Sequence, residues 1–242
     1  MARLSSIACT GSRSKKSVVA LTYQSILASK PPWGRYSAAS WVSGTNTLTD
    51  LTGNGRSATT SGVASGSASG NGATASIAYL AGSTTATIAW PAGSIPINNT
   101  ICFLTRYATG TNALVMAMSS NNGGDNIWYG HDSSSKAGIM YFNTGYKTPT
   151  TNSIVASNWL NFCTSNGLAF PNNILANGSA IGTGSIGPSQ GVTTLGINKY
   201  TYGGPSDFQF SQLIIWDQVL TATELVTVSN ALNTYLSTGV LQ

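Results

Sequence analysis

The chain has 242 residues, 41% of them apolar and only 7% charged, against about 25% charged in an ordinary soluble protein. Ser, Thr, Asn and Gly fill the gap, a polar but uncharged surface that suits secreted, cell-surface or capsid-type proteins better than a cytosolic enzyme. The basic balance of +5 is confined to one end: residues 1–35 hold Arg3, Arg13, Lys15, Lys16, Lys30 and Arg35 and no acid, while residues 36–242 carry a net −1, which argues against a nucleic-acid groove on the body.

Residues 1–32 read as a basic N-terminal arm, closed by the "KPPW" stretch, whose two prolines stop regular structure and favour an extended exit. Its start, "MARLSSIACTGSRSKK", makes a poor signal peptide, because the apolar part is short and basic residues follow it rather than precede it. No run approaches the roughly 18 apolar residues of a membrane span. "SVVALTYQSIL" (17–27) is too small to fold alone, so its apolar side chains need a surface on the body or on a neighbour.

A single domain is expected over residues 33–242. From Trp33 onward, short β-branched and aromatic runs alternate with Gly, Asn, Ser and Pro. "ATASIAYLAG", "NTICFLTRYATG", "AGIMYFNTG", "SNWLNFCTSNG" and "DFQFSQLIIW" are among about a dozen plausible strands, with no long helix before the end. Many short strands at near-regular spacing imply antiparallel sheets in a sandwich or barrel. The stretch "SGVASGSASGNGATAS" (61–76) is low in complexity and reads as an exposed loop leading into a strand. Cys9, Cys102 and Cys163 form no closed framework and no C-x-x-C pair; Cys102 and Cys163 sit in apolar runs and read as buried free thiols.

"FSQLIIW" (210–216) is almost continuously apolar, as a central strand covered on both sides would be. "TATE" (221–224) has capping-box spacing, with Thr221 as N-cap and Glu224 as its reciprocal partner. Leu225, Val228, Leu232 and Tyr235 then recur at helical spacing. The chain is therefore expected to close with one amphipathic helix lying on the outside of the sheets.

"FSQLIIWDQVLTATEL" and its continuation "VTVSNALNTYL" resemble the closing segment of concanavalin A-like, laminin G-like jelly rolls. "RYSAASW" with "LTDLTGNGRSAT" resembles the opening of that group, and "WYGHDSSSKAGIMYFNTGYKT" (128–148) a middle segment of versions encoded by large algal viruses and marine microbes. The resemblance spans about residues 33–238. It implies an all-β fold: a two-sheet antiparallel jelly-roll sandwich with a C-terminal amphipathic helix and an N-terminal extended arm. Activities in that superfamily range from sugar and protein binding to glycan hydrolysis, so the fold does not choose among them.

Hydrolysis can be tested by counting acids. A glycosidase needs two carboxyl groups about 5–10 Å apart, and the glucanases of this superfamily supply them from a Glu-x-Asp-x-x-Glu strand. Glu224 is the only glutamate, and Asp50, Asp125, Asp132, Asp207 and Asp217 never alternate on one strand. His131 is the only histidine, which rules out a multi-histidine metal site within one chain. "GTGSIG" (182–187) is followed by Pro188 where a phosphate-binding helix would start. "DLTGNG" (50–55) and "NNGGDN" (121–126) hold oxygens suited to calcium, yet each brings one carboxylate and Asn-Gly turns explain both. No catalytic residue, cofactor or metal is expected.

Binding is the class left. Aromatic faces stack on sugar rings while amides and carboxylates take the hydroxyls, and Asp125, Asn126, Trp128, Tyr129, His131, Tyr141, Asn143 and Tyr146 form the candidate glycan set, with Tyr200 and Tyr202 in a nearby run. The sequence thus points to a non-enzymatic structural or decorating protein of a large assembly, such as a virion. Arg3, Arg13, Lys15 and Lys16 would anchor it to other structural proteins. The alternative is a lectin-like module, cell-surface or secreted, that binds host or surface glycans. "NNT" (98–100) and "NGS" (177–179) are glycosylation acceptors only in a secretory compartment.

Overall fold

The computed structural model describes residues 20–120, 126–132, 135–142, 145–151, 153–166, 170–184, 193–199 and 204–242. The proposed anchors Arg3, Arg13, Lys15 and Lys16, with Asp125, Asn143, Tyr200, Tyr202 and the end of the "GTGSIG" stretch, lie outside them.

Helix α1 (Tyr23–Ser29) comes first, followed by β1 (Gly34–Ser37), β2 (Trp41–Val42), β3 (Thr47–Leu48) and β4 (Ala58–Ser61). The middle of the chain contributes β5 (Ala64–Gly70), β6 (Ala73–Gly82), β7 (Thr87–Ala89), β8 (Asn99–Tyr107), β9 (Met116–Ser120), β10 (Asn126–Asp132), β11 (Lys136–Phe142) and β12 (Gly145–Tyr146). β13 (Leu160–Asn166), β14 (Ile174–Ala176), β15 (Ser179–Gly182), β16 (Thr193–Ile197) and β17 (Phe208–Trp216) precede α2 (Ala222–Thr238). Every strand pairing is antiparallel. Sheet I runs β15-β14-β13-β8-β17-β6-β5, with β1 also on β17; sheet II runs β12-β11-β10-β9-β16-β7-β4-β3-β2. The chain is an antiparallel sandwich with one closing helix.

Two apolar layers hold it together. Between the sheets lie Trp90, Phe103, Phe162, Phe208 and Phe210; between sheet I and the helices lie Ile77, Cys102, Leu104, Ile214 and Trp216. β8 and β17 read as near-continuous apolar runs because alternate residues serve different layers. Ile101, Phe103, Leu213 and Ile215 face the sheet–sheet core, and Cys102, Leu104, Ile214 and Trp216 face the helices.

Helix α2 starts as its sequence predicts. Thr221 accepts from the Glu224 backbone N–H, and the Glu224 carboxylate accepts from the Thr221 backbone N–H. Gly239, in the left-handed region, ends it. Leu225, Val228, Leu232 and Tyr235 are all buried on sheet I. Asn161 on β13 fixes the azimuth of the helix, its buried Nδ2 donating to Ser229 O at 2.7 Å and Asn233 Oδ1 at 2.9 Å. Tyr23 and Ile26 of α1 rest in this same layer, with Leu27 packed against it, so these apolar residues of the 17–27 segment use the body. Lys30 pairs with Glu224 at 2.6 Å. Partial burial would raise the Glu224 pKa, but Lys30 and the Thr221 donors outweigh it and hold the carboxyl below its usual range.

Two expectations are corrected. Cys102 and Cys163 are joined in a disulfide, not free: β8 and β13 place them directly opposite each other in register, 4.1 Å apart at Cα. Residues 64–70 form strand β5 rather than a loop. Ala, Ser and Gly carry no hydrophobic pattern there, and the strand is imposed by pairing with β6 from Ala64↔Ala81 to Gly70↔Ala73. Among the described residues, no helix is long and apolar enough to cross a membrane.

Candidate functional site

β10, β11 and β12 form one edge of sheet II, and their register brings three of the predicted aromatics into a ladder. Trp128 lies opposite Tyr141, and Tyr141 opposite Tyr146. The Trp128 and Tyr141 rings stack at 4.0 Å and 4°, and Tyr146 stands edge-on to Tyr141 at 5.3 Å. Exposure rises outward, from 6% at Trp128 through a half-buried Tyr141 to 44% at Tyr146. The Tyr146 hydroxyl donates to Asp132 Oδ2 at 2.8 Å, which fixes the ring's outer edge. The surface offered to a solute is therefore the Tyr146 ring and the rim of Tyr141, with Trp128 as backing.

Tyr129 and His131 do not belong to this surface. Tyr129 points into the sheet–sheet core, and His131 packs edge-on against Tyr107 at 4.7 Å, both fully buried. Both follow the ordinary alternation of β10, in which Ile127, Tyr129 and His131 face inward opposite Trp128; the register shift beside Gly130 and His131 leaves the extra residue, Gly138, on β11. The backbone of Asn126 pairs with Ser119 at the start of β10.

Burial removes water from the imidazole and pushes the His131 pKa down to about 3. Neither ring nitrogen makes a hydrogen bond among the described residues. The unfolded chain takes up a proton below about pH 6.5 while the folded chain does not. The stability is thus fully present above pH 6.5 and is lost as pH falls toward 3. At pH 4.5 the loss is about 2–3 kcal/mol. Urea titrations at stepwise pH should show this slope, and His131→Phe should flatten it; an equal slope in the variant would assign it to the carboxylates.

Three of the acids are occupied elsewhere. Asp50 accepts from the backbone N–H of Arg35, Thr52 and Arg56 and from the Thr52 hydroxyl. Burial would raise its pKa, but these donors together lower it. Asp207 accepts from the Thr111 backbone N–H, and Glu224 caps α2.

A second concavity was not anticipated. On its β6/β1 side, β17 changes neighbour: Phe208–Phe210 pair with β6, and Gln212–Ile215 with β1. The β5–β6 hairpin peels away at this fork, and a cavity of about 640 Å³ opens between it, β1, α1 and the end of α2. Its polar lining includes Gln24, Arg35, Ser67, Ser76, Gln212 and Tyr235. Among the described residues Arg35 is its one charged lining residue, and Arg35 Nε is closed to solvent without a hydrogen bond. Beside it, burial pushes the Tyr23 hydroxyl up to about 12 despite the lowering effect of the guanidinium. Gln212 Nε2 donates to Ser37 Oγ at 3.0 Å, leaving its amide oxygen for another partner. The sequence signal was Gln212, a polar residue beside the apolar run Leu213–Trp216 of the central strand.

The sequence matches no protein-family model, and no curated protein matches it. Solved structures share its fold at low identity. Domain 4 of AbnA, a GH43 extracellular arabinanase from Geobacillus stearothermophilus in complex with arabinotriose, superposes with a TM-score of 0.63 at 14% identity over 83% of this chain and 98% of that one. Trypanosoma rangeli sialidase in complex with sialic acid gives 0.56 at 12% identity, over 85% of this chain but 33% of that one. The binding domain of Paraclostridial Mosquitocidal Protein 1 gives 0.55 at 15% identity, over 85% and 53%. At these identities the likeness concerns the fold alone.

Proposed function

We propose that this protein is a non-enzymatic carbohydrate-binding module, and that the Tyr146–Tyr141 edge of sheet II is its sugar platform. The carrying observation is the ladder: the exposed Tyr146 ring is held by the edge-on Tyr141, itself stacked on Trp128, and by a hydroxyl bond to Asp132. Such a surface loses little freedom on meeting a sugar ring, so little of the stacking energy is spent on ordering it. The arabinotriose on the arabinanase domain supports the same class of ligand. Non-enzymatic action is favoured because Asp50, Asp132, Asp207 and Glu224 serve a turn, the ladder, a loop and a helix cap.

The test is depletion by insoluble polysaccharides, arabinan included, followed by a glycan array. Tyr146→Ala should weaken retention at least tenfold, equivalent to about 1.4 kcal/mol, with unchanged thermal stability. Retention unaffected by this change, or no retention on any glycan, would sink the proposal.

The assembly reading is a second proposal. It rests on the basic residues Arg3, Arg13, Lys15 and Lys16 as a tether, and no viral origin is needed for the sugar-binding reading. The Cys102–Cys163 bond favours an oxidising setting, extracellular or at a particle surface, where such bridges persist.

A further inference from the structure

The cavity at the fork of sheet I has a composition that neither the sandwich nor the aromatic edge requires. Arg35 Nε is closed off beside the Tyr23 hydroxyl, so the part of its guanidinium that a ligand could meet is the terminal Nη1 and Nη2 at the cavity lining. Among the described residues Arg35 forms no ion pair; the nearby Asp50 carboxylate accepts from its backbone N–H, not from the guanidinium. The other cation close by, Arg56, is turned away, donating to Trp33 O at 2.6 Å with its guanidinium 4.6 Å over the Trp33 ring.

Around Arg35 stand groups that both donate and accept: the amides of Gln24 and Gln212 and the hydroxyls of Ser67 and Ser76. Paired donors and acceptors suit the hydroxyls of a sugar, as a purely cationic lining would not. The volume falls within the roughly 300–1,000 Å³ of small-molecule sites. Among the described residues the lining holds one cation, where nucleic acid calls for a stripe of them.

We infer that the fork cavity binds an acidic saccharide unit, with a carboxylate or sulfate ester on Arg35 and sugar hydroxyls on Gln24, Gln212, Ser67 and Ser76. The cavity lies on sheet I and the aromatic ladder on sheet II, so this inference does not rest on the ladder. Ligand enters where the β5–β6 hairpin leaves β17. Ser67 and Ala78, register partners on that hairpin, form one wall.

The test uses the full chain with four probes: a galacturonate trimer, its methyl-esterified form, a sulfated galactose trimer, and inorganic sulfate. Titration calorimetry should find binding of at least one acidic trimer, weakened tenfold or more by esterification or by 0.5 M NaCl, since a partly exposed ionic contact is screened at about 4 Å in that salt. Binding of the galacturonate trimer assigns the carboxylate, and of the galactose trimer the sulfate ester. Arg35→Gln should abolish binding and leave the thermal midpoint in place. Ser67→Tyr, which fills the cavity from the outer hairpin, should do the same without touching the charge. Tyr146→Ala should leave this binding unchanged, which separates a failure here from a failure of the aromatic platform. Equal binding of the esterified trimer, retention by both cavity variants, sulfate competing as well as the trimers, or no acidic trimer binding at millimolar concentration would each overturn the inference.

Discussion

Replacing Cys102 and Cys163 together by alanine should lower the unfolding free energy by about 4 kcal/mol. The bridge closes a loop with a sequence separation of 61 residues, and the entropy that such a loop regains in the unfolded chain corresponds to about that value. The effect should appear as a lower urea midpoint with a steeper dependence on denaturant, because the unbridged chain exposes more surface when it unfolds. The bond itself is checked first by non-reducing peptide mapping, which should find the two cysteine peptides joined. Thiol counting in denaturant should then detect Cys9 alone of the three cysteines. Three titratable thiols in freshly isolated protein, or a double variant as stable as the parent, would remove the bridge from the account.

Trp216→Ala should cost about 3–5 kcal/mol, the range for deleting a large buried aromatic. Trp216 ends the central strand of sheet I, is fully buried in the layer beneath the helices, and donates from Nε1 to the Lys30 carbonyl at 2.9 Å. Its loss opens a cavity and orphans the carbonyl that ends α1. Hydrogen exchange over Tyr23–Ser29 should therefore accelerate well before global unfolding. The neighbouring Lys30–Glu224 pair makes a useful contrast: both partners are partly accessible, so Lys30→Met should cost under about 1 kcal/mol. A Trp216→Ala variant within 1 kcal/mol of the parent would mean that α1 is held by other contacts.

The elements that the sequence revealed are those whose physics is local. The capping box at Thr221 and Glu224, and the stripe from Leu225 to Tyr235, specify α2 without reference to the rest of the chain. β8 and β17 were recognisable because both of their faces are buried, which leaves an apolar run in the sequence. β5 was not, because Ala64–Gly70 has no pattern of its own and borrows its strand conformation from β6. The Cys102–Cys163 bond likewise depends on which strands become neighbours, and spacing says nothing of that. At the aromatic edge the sequence grouped Trp128, Tyr141 and Tyr146, which the strand register brings side by side, but it pooled both faces of β10, so Tyr129 and His131, which alternate with Trp128 and turn inward, were taken with it. The fork cavity was the least visible feature, since it arises where two strands share one side of β17, a property of topology rather than of any segment.

Strand β5 carries a consequence for how this molecule coexists with its own copies. It ends sheet I with a row of backbone groups open to pairing, and it lacks the lysines and prolines that commonly blunt such borders. Its side chains, Ala, Ser and Gly only, offer an incoming chain almost no oily area, so ladder bonds formed there would merely replace bonds to solvent. Self-stacking is discouraged here by having nothing to gain rather than by repulsion. That safeguard holds in brine as well as in fresh water, where a charge-based one would fade as salt rises.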